Sequence, residues 1–571
     1  MSALKLLPLL LLFFSLPVLA QVDPIYESKA RFHPALGKQG MVSSQESYAT
    51  RAGLEVLKEG GNAVDAAVTV GFTLAVTLPR AGNLGGGGFM LVYMAEKDEV
   101  VAIDYREKAP LAATRDMFLD ENGEVDREKS MHSIFSAGVP GTVAGLTLAL
   151  EKYGTIPLKR AIRPALELAN QGFPVSQELR SSLLQVKERM EGSEAAVSVY
   201  FKEGAEPYSV GDILTQKDLA QSLNEISENG VHGFYSGAIA KKIDKFMKAR
   251  GGLITKEDLS SYEPVIRTPV KGTYRGYEIY SMPPPSSGGV HLIQILNILE
   301  LFPISQMGHN TAAAIHMMVE AKKLAYADRS KHMGDPDFAP VNTSRLISKD
   351  FASELKLKIN SEKATPSSEI LPGVIPASEG NNTTHFSVID KFGNAVSNTY
   401  TLNFSYGSKI MVPGTGILLN NEMDDFSSKP GVPNAYGLTG GKLNSIEPAK
   451  RMLSSMTPTI VMKEGEPFLV TGSPGGSRII TTVLQIILNV IDFNLNIAEA
   501  TNAVRVHHQW LPDVLYVEDG LNGDTVKLLR EMGHNVELGN TMGCTESIMK
   551  VGDFLYGASD PRRRGGLTKG Y

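Results

Sequence analysis

The chain has 571 residues, of which 42% are hydrophobic and 21% are charged, and these proportions are typical of a folded globular protein. The formal net charge of −6 is spread without long runs of one sign, which argues against a nucleic-acid-binding surface. One cysteine, Cys544, excludes disulfides within the chain, so a large hydrophobic core must supply the stability.

The amino-terminal segment has the parts of a secretory signal. Residues 1–5 carry a positive charge, residues 6–19 are apolar, and the small residue Ala20 precedes a polar segment. The apolar run is shorter than the roughly 20 residues of a membrane span, and Pro17 interrupts it. We therefore predict export with removal of residues 1–20, a periplasmic or secreted product, and no membrane anchor.

Two helices are predicted next. Ser43 and Glu46 have the spacing of a capping box and predict a helix that ends near Lys58. Asn62 is predicted to cap a second helix, which reaches about Val76 and is apolar on nearly all faces. A helix of that composition is buried, as in a helical layer against a sheet.

The glycine-rich segment at residues 81–89 does not predict a phosphate site, because it lacks both the P-loop lysine and the G-x-G-x-x-G register. We predict instead a close backbone approach that leads into a strand at residues 89–93. A second strand, residues 100–105, ends at Arg106. An arginine there can present its guanidinium to a carboxylate or remain a solvated surface residue.

The middle of the chain is predicted to form helices that cover the core and carry no catalytic residues. Residues 142–258 are rich in helical patterns without a catalytic set, and helices are also predicted at residues 290–299 and 312–328. Ser353 and Lys356 match a penicillin-binding nucleophile pattern, but they belong to a charged amphipathic run. We interpret that run as a solvated helix face.

Thr383 is the candidate nucleophile. A Pro/Gly-rich loop at residues 371–380 precedes it, and a β-branched, alternating strand begins near it. Cleavage after Asn382 would give Thr383 a free α-amino group, which titrates at about 7.7–8.0 and can accept the hydroxyl proton. Two simpler interpretations stay open: Thr383 only begins a strand, or Asn381 and Asn382 are glycosylation acceptors.

A hairpin is predicted to surround Thr383 with polar groups. A turn at residues 390–394 and a strand over residues 395–403 bring Thr401 and Asn403 opposite Thr383, within one residue. An acidic cluster then follows a strand that begins at Ile417.

Three later segments complete the pattern. Residues 428–441 have the composition of either a mobile cover or a plain surface loop. Residues 471–478 form a strand-to-turn junction before an apolar helix, so their backbone N–H groups suit an oxyanion. His507 and His508 lack companion metal ligands and are interpreted as structural.

These segments together resemble a bacterial γ-glutamyltranspeptidase, a member of the N-terminal nucleophile hydrolases. The similarity extends over nearly all of the chain after the signal. Its motifs, each weak alone and specific as an ordered set, are GGNAVDAAV, AGNLGGGGFM, DYREKAP, YRGYEIYSMPPPSSGG, TTHFSV, NNEMDDFSSKPGVPNAYG, MLSSM, TGSPGGSRIITT and TKGY.

The resemblance implies an α+β fold, a four-layer αββα sandwich built as one interlaced domain from both products of self-cleavage. These are a large subunit, residues 21–382, and a small subunit, residues 383–571, which form a heterodimer. The implied reaction cleaves the γ-glutamyl bond of glutathione and related compounds through a γ-glutamyl ester on Thr383. The group then passes to water or to an amino acid or dipeptide acceptor, with no metal or organic cofactor.

The resemblance also implies a role for each site residue. Thr383 is the nucleophile, Thr401 hydrogen-bonds near it, and the N–H groups of Gly475 and Gly476 form the oxyanion hole. The implied substrate-binding residues are Arg106, Ser454 and Ser455 for the α-carboxylate, Asn403, Glu422 and Asp425 for the α-ammonium, and Tyr436 in a lid.

Two other functions are weighed against this one. A glutaryl or β-lactam acylase of the same fold would act on a substrate without the α-ammonium, and so would not need Glu422 and Asp425. An exported protein that binds γ-glutamyl compounds without turnover would need no cleavage before Thr383. The acidic pair favours the transpeptidase.

Overall fold

The computed structural model describes residues 30–370 and 383–571. The predicted signal at residues 1–20, the loop at residues 371–380 and the residues Asn381 and Asn382 lie outside the described residues. No helix in the described part of the chain has both the length and the apolarity to cross a membrane.

The strands are numbered in chain order. They are β1 Ala35–Gly37, β2 Met41–Ser44, β3 Gly87–Met94, β4 Glu99–Tyr105, β5 Phe173–Pro174, β6 Ile213–Leu214, β7 Val265–Arg267, β8 Val270–Tyr274, β9 Tyr277–Ser281, β10 Thr383–Ile389, β11 Ala395–Thr401, β12 Met411–Val412, β13 Ile417–Leu418, β14 Thr459–Lys463, β15 Glu466–Thr471, β16 Val506–His507, β17 Leu515–Val517, β18 Val536–Leu538, β19 Glu546–Val551, β20 Phe554–Ser559 and β21 Leu567–Gly570.

The α-helices are numbered in the same way. They are α1 Ser47–Lys58, α2 Ala63–Thr77, α3 Arg127–His132, α4 Thr142–Tyr153, α5 Leu158–Gln171, α6 Gln177–Met190, α7 Glu194–Tyr200, α8 Lys217–Asn229, α9 Val231–Tyr235, α10 Ala238–Arg250, α11 Lys256–Ser260, α12 Gly288–Glu300, α13 Ile304–Met307, α14 Ala312–His332, α15 Thr343–Leu346, α16 Lys349–Lys356, α17 Arg478–Ile491, α18 Ile497–Asn502 and α19 Gly523–Glu531.

Two seven-stranded sheets form the centre of the molecule. One has the order β1-β20-β19-β15-β14-β9-β8 and the other the order β21-β2-β10-β11-β3-β4-β7. The sheets face each other, with β10 and β11 against β14, β15 and β19. Helices α1, α2 and α4 cover one outer face, and α12 and α18 cover the other. The predicted αββα sandwich is confirmed.

The helical layers form where the sequence is apolar. Asn62 caps α2 through a capping box with Asp65, and every residue of α2 is buried because it packs on β10 and β11 below and on α1, α4 and α5 above. The predicted start of α1 was wrong. Its N-cap is Glu46, since Ser43 belongs to β2, which pairs with both β10 and β21.

The hairpin β10–β11 confirms the predicted register. Thr383 is paired with Thr401 and Ile389 with Ala395, in an antiparallel ladder without a bulge. Alternation sends Phe386 towards the helical layer, whereas Ser387 points between the sheets and donates to the backbone of Glu546. Thr383 therefore points between the sheets, and Thr384 points the other way.

The glycine-rich segment makes the close approach that was predicted. A Cβ on Gly86 would lie 2.0 Å from the Thr401 carbonyl oxygen, and one on Gly85 would lie 2.1 Å from the Leu418 carbonyl oxygen. Asn83 donates its side-chain amide to the same Thr401 carbonyl at 2.9 Å. This backbone contact fixes the end of β11, where the site begins.

Candidate active site

Thr383 and Thr401 define one wall of a small cavity at the ends of β10 and β11. The Thr383 hydroxyl donates to Thr401 Oγ1 across the β10–β11 pair at 3.4 Å. Thr401 Oγ1 also accepts from the backbone N–H of Asn403 at 2.8 Å. Thr383 is 4% exposed, so it is almost completely buried at this wall.

The cavity gathers nearly every residue that the resemblance implied. Gly475 precedes the lining residue Gly476 and is not itself at the wall. The lining residues are Arg106, Thr383, Thr401, Asn403, Glu422, Asp425, Tyr436, Leu438, Ser454, Ser455, Met456, Gly476 and Ile479.

Arg106 is paired inside the protein. It follows β4, is fully buried, and donates through Nη1 to Glu422 Oε1 and through Nη2 to Asp425 Oδ2, the latter at 2.5 Å. The acids come from the one-turn 3₁₀ helix Glu422–Asp425. Arg106 and these acids, expected to hold opposite ends of a substrate, thus neutralise each other in this structure.

The site contains more carboxyl groups than cations. Glu107 also lies 3.5 Å from Arg106, and neither of its oxygens has a hydrogen-bond partner among the described residues. Burial raises the pKa of Glu107 to about 7. Burial also raises the pKa of Glu422, against the opposing effect of the Arg106 guanidinium. Glu422 Oε2 is buried without a partner in the described chain, so it can accept from a ligand.

The two serines are arranged as donors. Ser454 Oγ accepts from the Met456 N–H at 3.0 Å, and Ser455 Oγ accepts from the Arg329 guanidinium at 3.1 Å. Since each oxygen already accepts a hydrogen bond, each hydroxyl hydrogen can point to an anion in the cavity. Arg329 lies on α14, and the sequence reasoning missed it, because it is one position in a long regular helix.

The strand-to-helix junction predicted at residues 471–478 is the turn between β15 and α17. Gly475 and Gly476 have φ values of 135° and 54°, in the region that favours glycine. A Cβ on Gly476 would lie 2.3 Å from the ring of Tyr436. Glycine at position 476 therefore allows the turn before α17 to pack directly against the ring of Tyr436.

The 428–441 loop covers the cavity and is tied to the acidic cluster. The Tyr436 hydroxyl donates to the backbone carbonyl of Asn403 at 2.9 Å, and the ring stacks on Phe404 with centroids 4.9 Å apart. Asp424 accepts from the N–H of Ala435 at 3.1 Å. Of the two interpretations of this loop, the structure supports a cover that contacts the site.

His507 and His508, which were interpreted as structural, form hydrogen bonds within the protein. His507 bonds to Thr481 at 2.8 Å, and His508 to Asp513 at 3.1 Å. Burial lowers the pKa of His508 to about 4, so it is neutral at physiological pH. Ser353 is exposed on α16 and donates to the Lys349 carbonyl, as expected of a solvated helix face.

Within residues 30–370 and 383–571, His316, Glu320 and His534 are the one group with the spacing of metal ligands. His316 Nδ1 and His534 Nε2 hydrogen-bond to each other at 2.8 Å. Glu320 accepts from the Lys323 ammonium at 3.2 Å and from the Thr365 N–H. Because every ligand atom is engaged and an ammonium is adjacent, we interpret this group as a hydrogen-bonded network.

Known proteins resemble this chain over most of its length. A family model described as gamma-glutamyltranspeptidase matches residues 49–569. The glutathione hydrolase proenzyme of Escherichia coli (strain K12) is 56% identical over 542 residues, with 95% of this chain and 93% of that protein covered. A protein of the same name from Pseudomonas sp. (strain A14) is 46% identical, with 94% and 95% covered.

A solved structure supports the fold. The crystal structure of cephalosporin acylase from Bacillus halodurans has a TM-score of 0.83 and 27% identity to this chain. The comparison covers 96% of this chain and 99% of the acylase. The fold of this chain is thus shared with that acylase.

Proposed function

The chain belongs to the γ-glutamyltranspeptidase family, and on this basis we propose a mechanism in which Thr383 carries the γ-glutamyl group. The protein is an enzyme that cleaves the γ-glutamyl bond of glutathione and related compounds and transfers the group. The observation that carries the mechanism is that the Thr383 hydroxyl and the Arg106, Glu422 and Asp425 cluster share one cavity.

The proenzyme is cleaved between Asn382 and Thr383 in this proposal. The products are a large subunit, residues 21–382 after loss of the signal at residues 1–20, and a small subunit, residues 383–571. One observation supports a stable heterodimer: β10 pairs with β2, and β11 pairs with β3, so strands from both products alternate in one sheet. Separating the products would break that sheet.

Cleavage turns Thr383 into both nucleophile and base. Its new α-amino group accepts the hydroxyl proton, and Oγ1 attacks the γ-carbonyl of the donor. The N–H groups of Gly475 and Gly476 stabilise the oxyanion, and Thr401 fixes the orientation of the attacking side chain. The Thr383 ammonium then returns the proton to the amine as the C–N bond breaks, which leaves a γ-glutamyl ester on Thr383. Water, an amino acid or a dipeptide then attacks this ester.

Binding of the substrate exchanges ion pairs. The α-carboxylate of a γ-glutamyl group takes the place of an acid on Arg106, helped by Ser454 and Ser455. The α-ammonium then pairs with the acids Glu422 and Asp425, beside Asn403. Each charge of the entering zwitterion gains an opposite partner in this exchange, so neither end is left as an unpaired buried charge, which would cost several kcal/mol.

An acylase is the second candidate, because the fold is shared with cephalosporin acylase. A glutaryl side chain has no α-ammonium, so binding it would leave Glu422 and Asp425 with one cation between them. The buried Glu422 Oε2, without a partner among the described residues, favours a substrate that brings its own cation. A binding protein without turnover would not need the buried hydroxyl pair of Thr383 and Thr401.

The experiment compares release of p-nitroaniline from γ-glutamyl-p-nitroanilide by the wild type, Thr383→Ala and Thr384→Ala. Thr384 is an equally buried neighbour on the opposite face of β10, and its hydroxyl has no partner among the described residues, so it is a matched control. We expect activity that rises with glycylglycine in the wild type and Thr384→Ala, and none in Thr383→Ala. Faster turnover of glutaryl-p-nitroanilide would favour the acylase instead.

A further inference from the structure

Arg329 is a buried cation that forms no direct ion pair with a carboxylate of the described residues. It is 4% exposed, and no carboxylate oxygen of the described residues lies within the 4.0 Å of an ion pair. Its guanidinium contacts two hydroxyls: Nε donates to Ser287 Oγ at 2.8 Å and Nη2 to Ser455 Oγ at 3.1 Å. Burial lowers its pKa to about 10, so it stays charged at neutral pH.

The charges around the cavity are unevenly distributed. Arg106 is in direct ion pairs with Glu422, Asp425 and Glu107. Among the described residues, Arg329 hydrogen-bonds to hydroxyl oxygens, and the Asp425 carboxylate acts on it only from beyond ion-pair distance. A buried charge without a direct ion pair is unfavourable, and ionisable groups in such environments occur preferentially at functional sites. The positive charge available to an entering anion is therefore on Arg329.

The two contacts of Arg329 differ in what lies beyond them. The Ser287 hydroxyl donates to the Ser454 backbone carbonyl at 2.7 Å, so its hydrogen is used within the protein and cannot reach a ligand. Ser455 lines the cavity and accepts from Arg329, which leaves its hydrogen to be donated into the cavity. A hydroxyl polarised by a guanidinium is a stronger donor to an anion than an isolated one.

We propose that Arg329 is a positioning and specificity residue that recognises the substrate's α-carboxylate through the Ser455 hydroxyl. The inference rests on the proposed function of the cavity and goes beyond it by adding a second, indirect cation to Arg106. Arg106 must release an acid to bind the carboxylate, whereas Arg329 needs no exchange. Arg329 therefore makes the cavity attractive to the carboxylate before the Arg106 ion pairs rearrange.

The test compares two donors that differ only in the carboxylate: γ-glutamyl-p-nitroanilide and 4-aminobutyryl-p-nitroanilide. Arg329→Met removes the cation, Ser287→Ala removes only the inward contact, and Lys331→Met removes an exposed cation on the same helix α14. Each variant's cleavage is checked by intact mass, and each kcat/KM is measured for both donors.

We expect Arg329→Met to lower kcat/KM for the γ-glutamyl donor about 10- to 100-fold, mainly by raising KM. A change of this size corresponds to the loss of one charge-assisted hydrogen bond. The 4-aminobutyryl donor should change less than about 2-fold, since it carries no group for Ser455 to bind. Ser287→Ala and Lys331→Met should keep the wild-type ratio between donors. Arg329→Lys should recover part of that ratio, because it restores the charge without the planar fork.

Equal losses for both donors in Arg329→Met would assign Arg329 a purely structural role and overturn the inference. If Arg329→Met is not cleaved, Ser455→Ala and Arg329→Lys are compared in the same way, and an unchanged ratio in both would also overturn it. A wild type that releases nothing from γ-glutamyl-p-nitroanilide would refute the proposed function itself, and is thereby distinguishable.

Discussion

Thr383 and Thr401 are directly paired across an antiparallel ladder, with their hydroxyl oxygens 3.4 Å apart on the face between the sheets. Both threonines are at strand ends, where backbone pairing holds them but the cavity remains accessible. The backbone N–H of Asn403 completes the contact at Thr401 Oγ1. The attacking hydroxyl is thus oriented by the sheet itself.

Thr401→Val keeps the side chain's shape and removes its hydroxyl. We expect kcat for γ-glutamyl-p-nitroanilide to fall about 10- to 100-fold and cleavage of the proenzyme to slow, because Thr383 loses its acceptor and the Asn403 N–H loses its partner. Thr401→Ser, which restores the hydroxyl, should recover most of both. Full activity in Thr401→Val, measured by initial rates, would exclude this role.

Arg106→Lys tests the planar fork that contacts two acids. A lysine ammonium cannot pair with Glu422 and Asp425 in the same geometry, and breaking a buried pair costs about 3–5 kcal/mol. We expect a KM increase of about 100-fold or more and a lower Tm. Arg115→Lys is the control, since Arg115 pairs with Asp116 in solvent with 73% of its side chain exposed. Equal KM values in both variants would place Arg106 outside the binding site.

Gly476→Ala adds one methyl group beneath the covering loop. Because the new Cβ would lie 2.3 Å from the Tyr436 ring at a φ of 54°, the turn or the ring must move. Displacing an oxyanion donor costs about 100- to 1,000-fold in kcat, and we expect a loss of that size. Gly465→Ala, at a φ of 82° with nothing within 4 Å, shares the backbone strain but should keep kcat. A normal kcat in Gly476→Ala would rule out the oxyanion role.

Asp424 gives the site a pH dependence with a defined sign. Burial raises its pKa from 3.8 to about 6, so the folded state prefers the protonated carboxyl. Its stabilising contribution is full below the unfolded pKa and is lost as pH rises towards 6, a change of about 3 kcal/mol.

Asp424→Asn cannot ionise, so its Tm relative to the wild type should increase between about pH 4 and pH 6 and then level off. Thermal unfolding at a series of pH values measures this difference. The amide also places N–H groups near the donors Ala435 and Ser130, which lowers the variant's Tm by a constant amount. A difference that is independent of pH, or that falls in this range, would contradict the buried-carboxyl interpretation.

Some of the fold could be predicted from local sequence, because local rules determine it. The period-two pattern and the turn at residues 390–394 predicted the pairing of Thr383 with Thr401. Asn62 was predicted to cap α2 because the capping signal lies within the first turn of that helix. Ser43 was assigned wrongly because its capping signal is local, whereas its strand is held by partners more than 300 residues away.

The site could be predicted only in part. Motif resemblance, not spacing, brought Arg106 together with Glu422, which lies 316 residues away. The mutual pairing of these two groups is a property of the folded cavity and has no local signature. Arg329 and Asp424 were missed for the same reason: one is a position in a regular helix and the other a member of an acidic run, and only burial distinguishes them.

The most direct test of the mechanism is amino-terminal sequencing and intact mass of the purified mature protein. We predict a large chain that ends at Asn382 and a small chain that begins Thr-Thr-His-Phe and ends at Tyr571. A small chain that begins at any other residue, or a single uncut chain that turns over γ-glutamyl-p-nitroanilide, would contradict it.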